Sequence, residues 1–115
     1  MNIVCANVGD SRASLVQLSQ LSSSLCRLSR DHTPLLPEER QRIIKAGGRI
    51  SPCKDIHGQP VGPPRIWDKN EDGPGLMMSR SFGDLTGHKI GMTALPEVKI
   101  HTRTQDDKVQ IGRAH

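Results

Sequence analysis

Only one stretch of the chain, LPEERQRIIKAGG at residues 36–48, carries helix signals at both ends, so the rest must be built from short strands and turns. Pro37 suits a first helical turn, and Glu38 and Glu39 complement the positive end of the helix dipole. Lys45 sits near the negative end, and Gly47 and Gly48 supply a left-handed stop. Leu36, Ile43 and Ile44 can share one face, while Glu38 and Arg42 are spaced as an i,i+4 ion pair. A packing helix is the expected role.

IVCANV at residues 3–8 and ASLVQL at residues 13–18 are rich in β-branched and small side chains, and read as two strands of a hairpin around Gly9-Asp10-Ser11-Arg12. LCRLS at residues 25–29 extends this to a three-stranded antiparallel meander. Residues 51–75 are crowded with Gly and Pro and read as a long irregular region, the kind of loop that is functional or mobile. After it come a strand end at residues 76–78, a short helix or turn at 79–85, and a strand at 98–102. Of 115 residues only 34% are hydrophobic, and Trp67 and Phe82 are the sole large aromatics. So thin a supply of bulky groups makes a thin core, and implies that the chain is part of something larger. No internal repeat is present.

The formal charge is +4, but acidic residues are interleaved with the basic ones, as in Glu38, Glu39, Arg40 and Arg42. That is a solvated surface rather than a nucleic-acid stripe, and no aromatic side chains alternate with the cations to stack bases. Cys5, Cys26 and Cys53 are odd in number and far apart, matching neither a disulfide framework nor a CxxC metal knuckle. They fit a reducing compartment, and the expected location is intracellular, in cytoplasm or nucleus. No secretory leader or bilayer-length apolar run is visible.

The Gly9-Asp10-Ser11 turn approximates a nucleophile elbow, but an elbow needs a helix after the serine, and here a strand follows. Asp68, Asn70, Asp72 and Gly73 satisfy the first half of a calcium loop; its twelfth position, where a bidentate Glu is required, is Ser79. The five histidines, His32, His57, His88, His101 and His115, show no zinc-binding helical pair. Asp10 has two readings. An Asp after Gly ordinarily bonds its own backbone, yet a tip between rigid strands also presents a hard oxygen ligand suited to Mg²⁺ or Mn²⁺.

The order of motifs is more informative than any one of them. ANVGDSRA, LSRDHTP, EERQRIIKAGGRI, PGLMMSRSFGD and LPEV, spread over residues 3–107, together resemble the PPM-type, or type 2C, metal-dependent protein serine/threonine phosphatases. The resemblance implies an α+β fold: antiparallel sheets packed face to face as a β-sandwich, here partial, flanked by helices. It implies phosphoprotein substrates, and hydrolysis of phosphoserine and phosphothreonine by water activated at a centre of Mg²⁺ or Mn²⁺. By the same matching Asp10 is the metal-ligand candidate, Arg12 braces the turn, and Ser79, Arg80, Gly83 and Asp84 fill the SRxxGD segment. Arg80 and Asp84 are then expected to pair structurally. Residues 52–75 would include the family's flap, a place for substrate selection, which Trp67 can pack.

The family's upstream DGHGG-like segment and downstream SDG and DN segments, which carry the core metal ligands, do not occur in the sequence. Residues 1–108 therefore read as the central part of such a domain, with no catalytic residue assigned and no activity expected of this piece alone. Residues 109–115 leave the pattern, and IGRAH looks like a translated library adapter. The alternative function is a non-catalytic regulatory or protein-interaction module derived from the same fold.

Overall fold

The computed structural model describes residues 1–18, 21–70, 72–103, 105 and 107–113. In chain order the elements are β1 (Asn2–Asn7), β2 (Ser11–Leu18), β3 (Ser23–Arg27), α1 (Pro37–Lys45), β4 (Arg49–Lys54), β5 (Pro60–Trp67), β6 (Pro74–Leu76), α2 (Leu85–His88), β7 (Glu97–Thr102) and β8 (Asp107–Arg113). They fall into two compact units, Met1–Asp31 with Leu95–His115, and His32–Ala94. The mixture of antiparallel sheets and a few helices is the α+β class read from the sequence.

The first unit holds two antiparallel sheets, β1-β7 and β3-β2-β8. The expected hairpin of the first two strands is not formed. β1 pairs with β7, Val4 opposite Ile100, whereas β2 pairs with β3, Leu15 opposite Cys26, and with β8. The turn at residues 9–12 therefore carries the chain from one sheet to the other. The reason lies in the apolar faces. Ala13, Leu15 and Leu28 form a buried cluster against which Ile3, Cys5 and Cys26 pack. In a flat hairpin the two apolar faces would lie side by side; a corner lets the face of one sheet cover that of the other. The off-pattern tail at residues 109–115 lies in β8 as far as Arg113, and residues 114 and 115 are outside the described residues.

In the second unit α1 starts at Pro37, carries Glu38 and Glu39 in its first turn and is followed by Gly47 at φ 94°, as its sequence requires. Its buried face differs from expectation. Glu39 and Ile43 are buried and Ile44 is 49% exposed, and Arg42 pairs with Glu39 at i,i+3 rather than with Glu38. Ile43 joins Ile66 and Met92 in a core flanked by Ile50, Leu76, Met78 and Ile90.

Residues 51–75, read as irregular, instead contribute to the three-stranded sheet β4-β5-β6. Its prolines sit where a strand needs no N–H. Pro60 and Pro74 open their strands, while Pro52, Pro63 and Pro64 fall at the bulge where the register shifts between Ser51 and Cys53. Trp67 fastens the sheet by donating its indole N–H to the Ser51 carbonyl at 2.8 Å.

Gly91 shows how closely the chain passes α1. Its φ is +102°, and a Cβ there would lie 2.7 Å from Ile43 Cα. Gly58, at φ +79°, has open space instead. Gly58→Ala is expected to cost only backbone strain, about 1–2 kcal/mol, and Gly91→Ala to add overpacking of about 1–3 kcal/mol. Urea denaturation of the two variants checks this; equal losses would contradict the close approach.

Candidate functional site

The corner between β1 and β2 holds the sequence's metal-ligand candidate. Gly9 is buried at φ 114°, a conformation side chains other than glycine's rarely adopt. The turn is tied down on both flanks. Asn7 Nδ2 donates to the Gly9 carbonyl at 3.2 Å and to the Arg30 carbonyl at 2.9 Å. The Arg12 guanidinium grips Asp31 with two bonds, Nε to Oδ1 at 3.2 Å and Nη2 to Oδ2 at 2.6 Å. Those hydrogen bonds, with the Asp31 charge, raise the Arg12 pKa above its ordinary value. Arg12 thus braces the turn, and Asp31, unassigned from the sequence although it lies in LSRDHTP, is what it braces against.

Asp10 is half-buried on this corner, and its carboxylate makes no hydrogen bond or ion pair to any described residue. It is a hard oxygen donor on a fixed backbone, but a single one. Among the described residues no group of three or more His, Cys, Asp and Glu side chains could hold a metal ion. Mg²⁺ and Mn²⁺ want several oxygens at once, so the described residues do not by themselves make a divalent-cation site.

The second constellation lies in the other unit, around Glu39, which is 1% exposed. Its Oε1 accepts from Ser79 Oγ at 2.8 Å, Arg80 Nε at 2.7 Å and Arg42 Nη2 at 3.3 Å. Oε2 accepts from Arg42 Nη1 at 2.5 Å and Arg80 Nη2 at 3.0 Å. Arg42 also donates to the Gly91 carbonyl at 2.7 Å and the Ser79 carbonyl at 2.9 Å. Burial pushes the Glu39 carboxyl up, but the bonds from Arg80, Arg42 and Ser79 outweigh it and hold its pKa at about 2. Five bonds occupy the lone pairs of both oxygens, so this carboxylate has no capacity left for a metal or a substrate.

This hub corrects one expectation: Arg80 turns to Glu39 rather than to Asp84. Asp84 instead takes a left-handed φ of 43° before α2. The sequence shows Glu39 only as an acidic residue in a first helical turn. Its place four residues before Ile43, on the buried side, was the one available signal. Other candidates resolve as structure. Asp68 Oδ1 accepts from the backbone N–H groups of Asn70 and Asp72, both at 3.0 Å, so the half calcium loop is a self-bonded turn. His32 is fully buried, its carbonyl accepting from Ser79 N at 2.8 Å, and His88 Nε2 lies 3.0 Å from the Ser81 carbonyl. The three cysteines are free. Among the described residues no helix is long and apolar enough to cross a membrane.

Comparison with known proteins places these features in context. The profile of the family described as Protein phosphatase 2C matches residues 1–111. "Probable protein phosphatase 2C 48" of Oryza sativa subsp. japonica is 40% identical over 110 residues, 91% of this chain and 30% of that protein. "Probable protein phosphatase 2C 73" of Arabidopsis thaliana is 42% identical over 106 residues, 90% of this chain and 27% of that protein. Among solved structures, a serine-threonine phosphatase 2C from Toxoplasma gondii superposes with a TM-score of 0.77 at 22% identity, covering 94% of this chain and 36% of that one. The chain thus spans less than a third of the length of these curated relatives.

Glu39→Gln leaves two arginines, one of them with a side chain only 12% exposed, without their counter-charge. The expected loss is about 3–5 kcal/mol, read by denaturant unfolding. Because folding lowers the Glu39 pKa, its contribution is complete above the unfolded carboxyl value of about 4.3 and disappears as pH falls toward 2. Stability of the wild-type chain is expected to drop across that window, and that of the variant to drop less. Parallel acid profiles would contradict the hub.

Proposed function

The chain belongs to the protein phosphatase 2C family, and from that premise we propose that it is the central part of a phosphatase acting on phosphoserine and phosphothreonine in proteins. The observation that carries the reading is the family match across residues 1–111, which takes in the GDSR corner and the SRSFGD segment together. In the proposed parent enzyme Mg²⁺ or Mn²⁺ would supply the activated water. The contribution of this chain is narrower. Asp10 offers one oxygen to such an ion from a corner whose backbone is fixed by Gly9, Asn7 and the Arg12–Asp31 pair. Glu39, Ser79 and Arg80 take no part in chemistry; they hold the SRSFGD segment against α1.

The alternative is a non-catalytic interaction module derived from the same fold. Phosphate release from a phosphothreonine peptide in the presence of Mn²⁺ tests the reading. The 115-residue chain is expected to give no turnover above buffer. A product extended to the length of the relatives is expected to turn over, and in it Asp10→Asn to raise the Mn²⁺ needed for half-maximal rate by about tenfold or more. Turnover by the chain alone, or an extended product that stays inactive with its metal ligands intact, would contradict the proposal.

A further inference from the structure

The turn that carries Asp10 joins two sheets, since Asn7 ends β1 and Ser11 opens β2. Sheets joined by a single turn can hinge there unless something spans it. Residues 27–31 span it, with a contact from every residue. On the β2 side the Leu28 N–H donates to the Ala13 carbonyl at 2.9 Å, Ser29 Oγ accepts from the Ala13 N–H at 2.8 Å, and Asp31 holds Arg12 at 2.6 and 3.2 Å. On the β1-β7 side the Arg27 carbonyl accepts from Lys99 Nζ at 2.9 Å, and Arg30 is held twice. Its carbonyl accepts from Asn7 Nδ2 at 2.9 Å, and its Nη2 lies 3.1 and 3.0 Å from the two Glu97 oxygens. Asn7 and Glu97 stand opposite each other in the β1-β7 register, so Arg30 closes on one rung of that sheet with main chain and side chain together.

The side chains of Arg12, Arg30 and Glu97 are 43%, 50% and 36% exposed. Ion pairs so open to water add little to stability. Their two-point geometry fixes direction instead, because a carboxylate met at both oxygens cannot pivot about a single bond. Inside the span lies Asp10, half-buried between Gly9 and the first residue of β2, with no described partner to aim its carboxylate. A ligand aimed only by its backbone needs that backbone held from outside.

We propose that Glu97, Arg30 and Asp31 are positioning residues for Asp10: through Asn7 and Arg12 they fix the angle between β1 and β2 at which its carboxylate meets a divalent cation. None of the three is a ligand; each acts through the corner. The LPEV and LSRDHTP segments thereby serve the GDSR turn. The proposal rests on Asp10 being an oxygen donor to that cation, which the same experiment checks on its own.

The experiment uses the product extended to the length of the relatives and reads Mn²⁺ binding from the electron paramagnetic resonance of the free ion, independently of turnover. Asp10→Asn is expected to weaken one Mn²⁺ site by about tenfold or more. Asp31→Asn and Glu97→Gln are expected to weaken that same site by about threefold or more, less than loss of the ligand itself, and to leave the thermal unfolding midpoint in place. Placed in the Asp10→Asn protein, neither should weaken binding further, as a cycle of variants requires when one residue acts through another. Arg12→Lys keeps the charge but not the two-point grip; it carries the same prediction, and stands in for Asp31→Asn should that variant fail to fold. Arg40→Gln, on the exposed face of α1, should leave binding unchanged. If Asp10→Asn leaves Mn²⁺ binding intact, the reading of Asp10 and this proposal fall together. If Asp10→Asn weakens binding while the positioning variants do not, if their effect persists without Asp10, or if Arg40→Gln matches them, the positioning role alone is overturned.

Discussion

Residues 32–94 depend on a single buried carboxylate. Glu39 gathers Ser79 and Arg80 from the loop after β6 and Arg42 from its own helix, and through Arg42 it reaches the Gly91 carbonyl. A carboxylate alone in such a place would protonate or resist burial; with five donors it stays charged and becomes a fixed point. The apolar core of the same unit is small, Ile43, Ile66 and Met92 at its centre. A chain with only two large aromatics has little else with which to hold a loop as long as residues 77–84 in one conformation. The polar hub supplies the specificity that bulk packing does not.

That division of labour separates two kinds of motif residue. The Ser-Arg of SRSFGD and the Glu-Arg of EERQR meet in one hydrogen-bonded cluster, and their chemistry is consumed there. The GDSR turn is built the other way. Its bracing groups, Asn7, Arg12 and Asp31, are engaged, and Asp10 alone is left with an uncommitted carboxylate. A motif shared with a phosphatase family therefore need not be catalytic at every letter. In the GDSR turn Arg12 is engaged with Asp31 while Asp10 keeps its carboxylate uncommitted, and in SRSFGD Ser79 and Arg80 are engaged with Glu39 while Phe82 is exposed.

What could be read from the sequence follows the range of the forces involved. The helix was legible because its start and stop are local: Pro37, two acids in the first turn, and Gly47 after the last. Its buried face was not, because an acidic residue inside a core is intelligible only once Arg80, 41 positions away, is seen to meet it. The strands at residues 2–7 and 11–18 were visible as β-branched runs, but pairing depends on distant partners, and β1 found β7 instead of its neighbour. Residues 51–75 misled because Gly and Pro punctuate turns and bulges alike, and only the register shows which prolines sit at a bulge. At the candidate site the GDSR motif pointed to Asp10 as a candidate ligand, whereas Asp31, 19 positions from the Arg12 it holds, carried no local signal.

The hub around Glu39 is the claim on which most of this account turns, and its charge state can be read directly. Carbon-13 NMR of the Glu39 side-chain carboxyl, followed through an acid titration of the folded chain, measures the group itself rather than its effect on unfolding. The expected result is a midpoint near 2. A midpoint at the ordinary glutamate value of about 4.3 would mean that Arg42, Arg80 and Ser79 do not close on that carboxylate in solution.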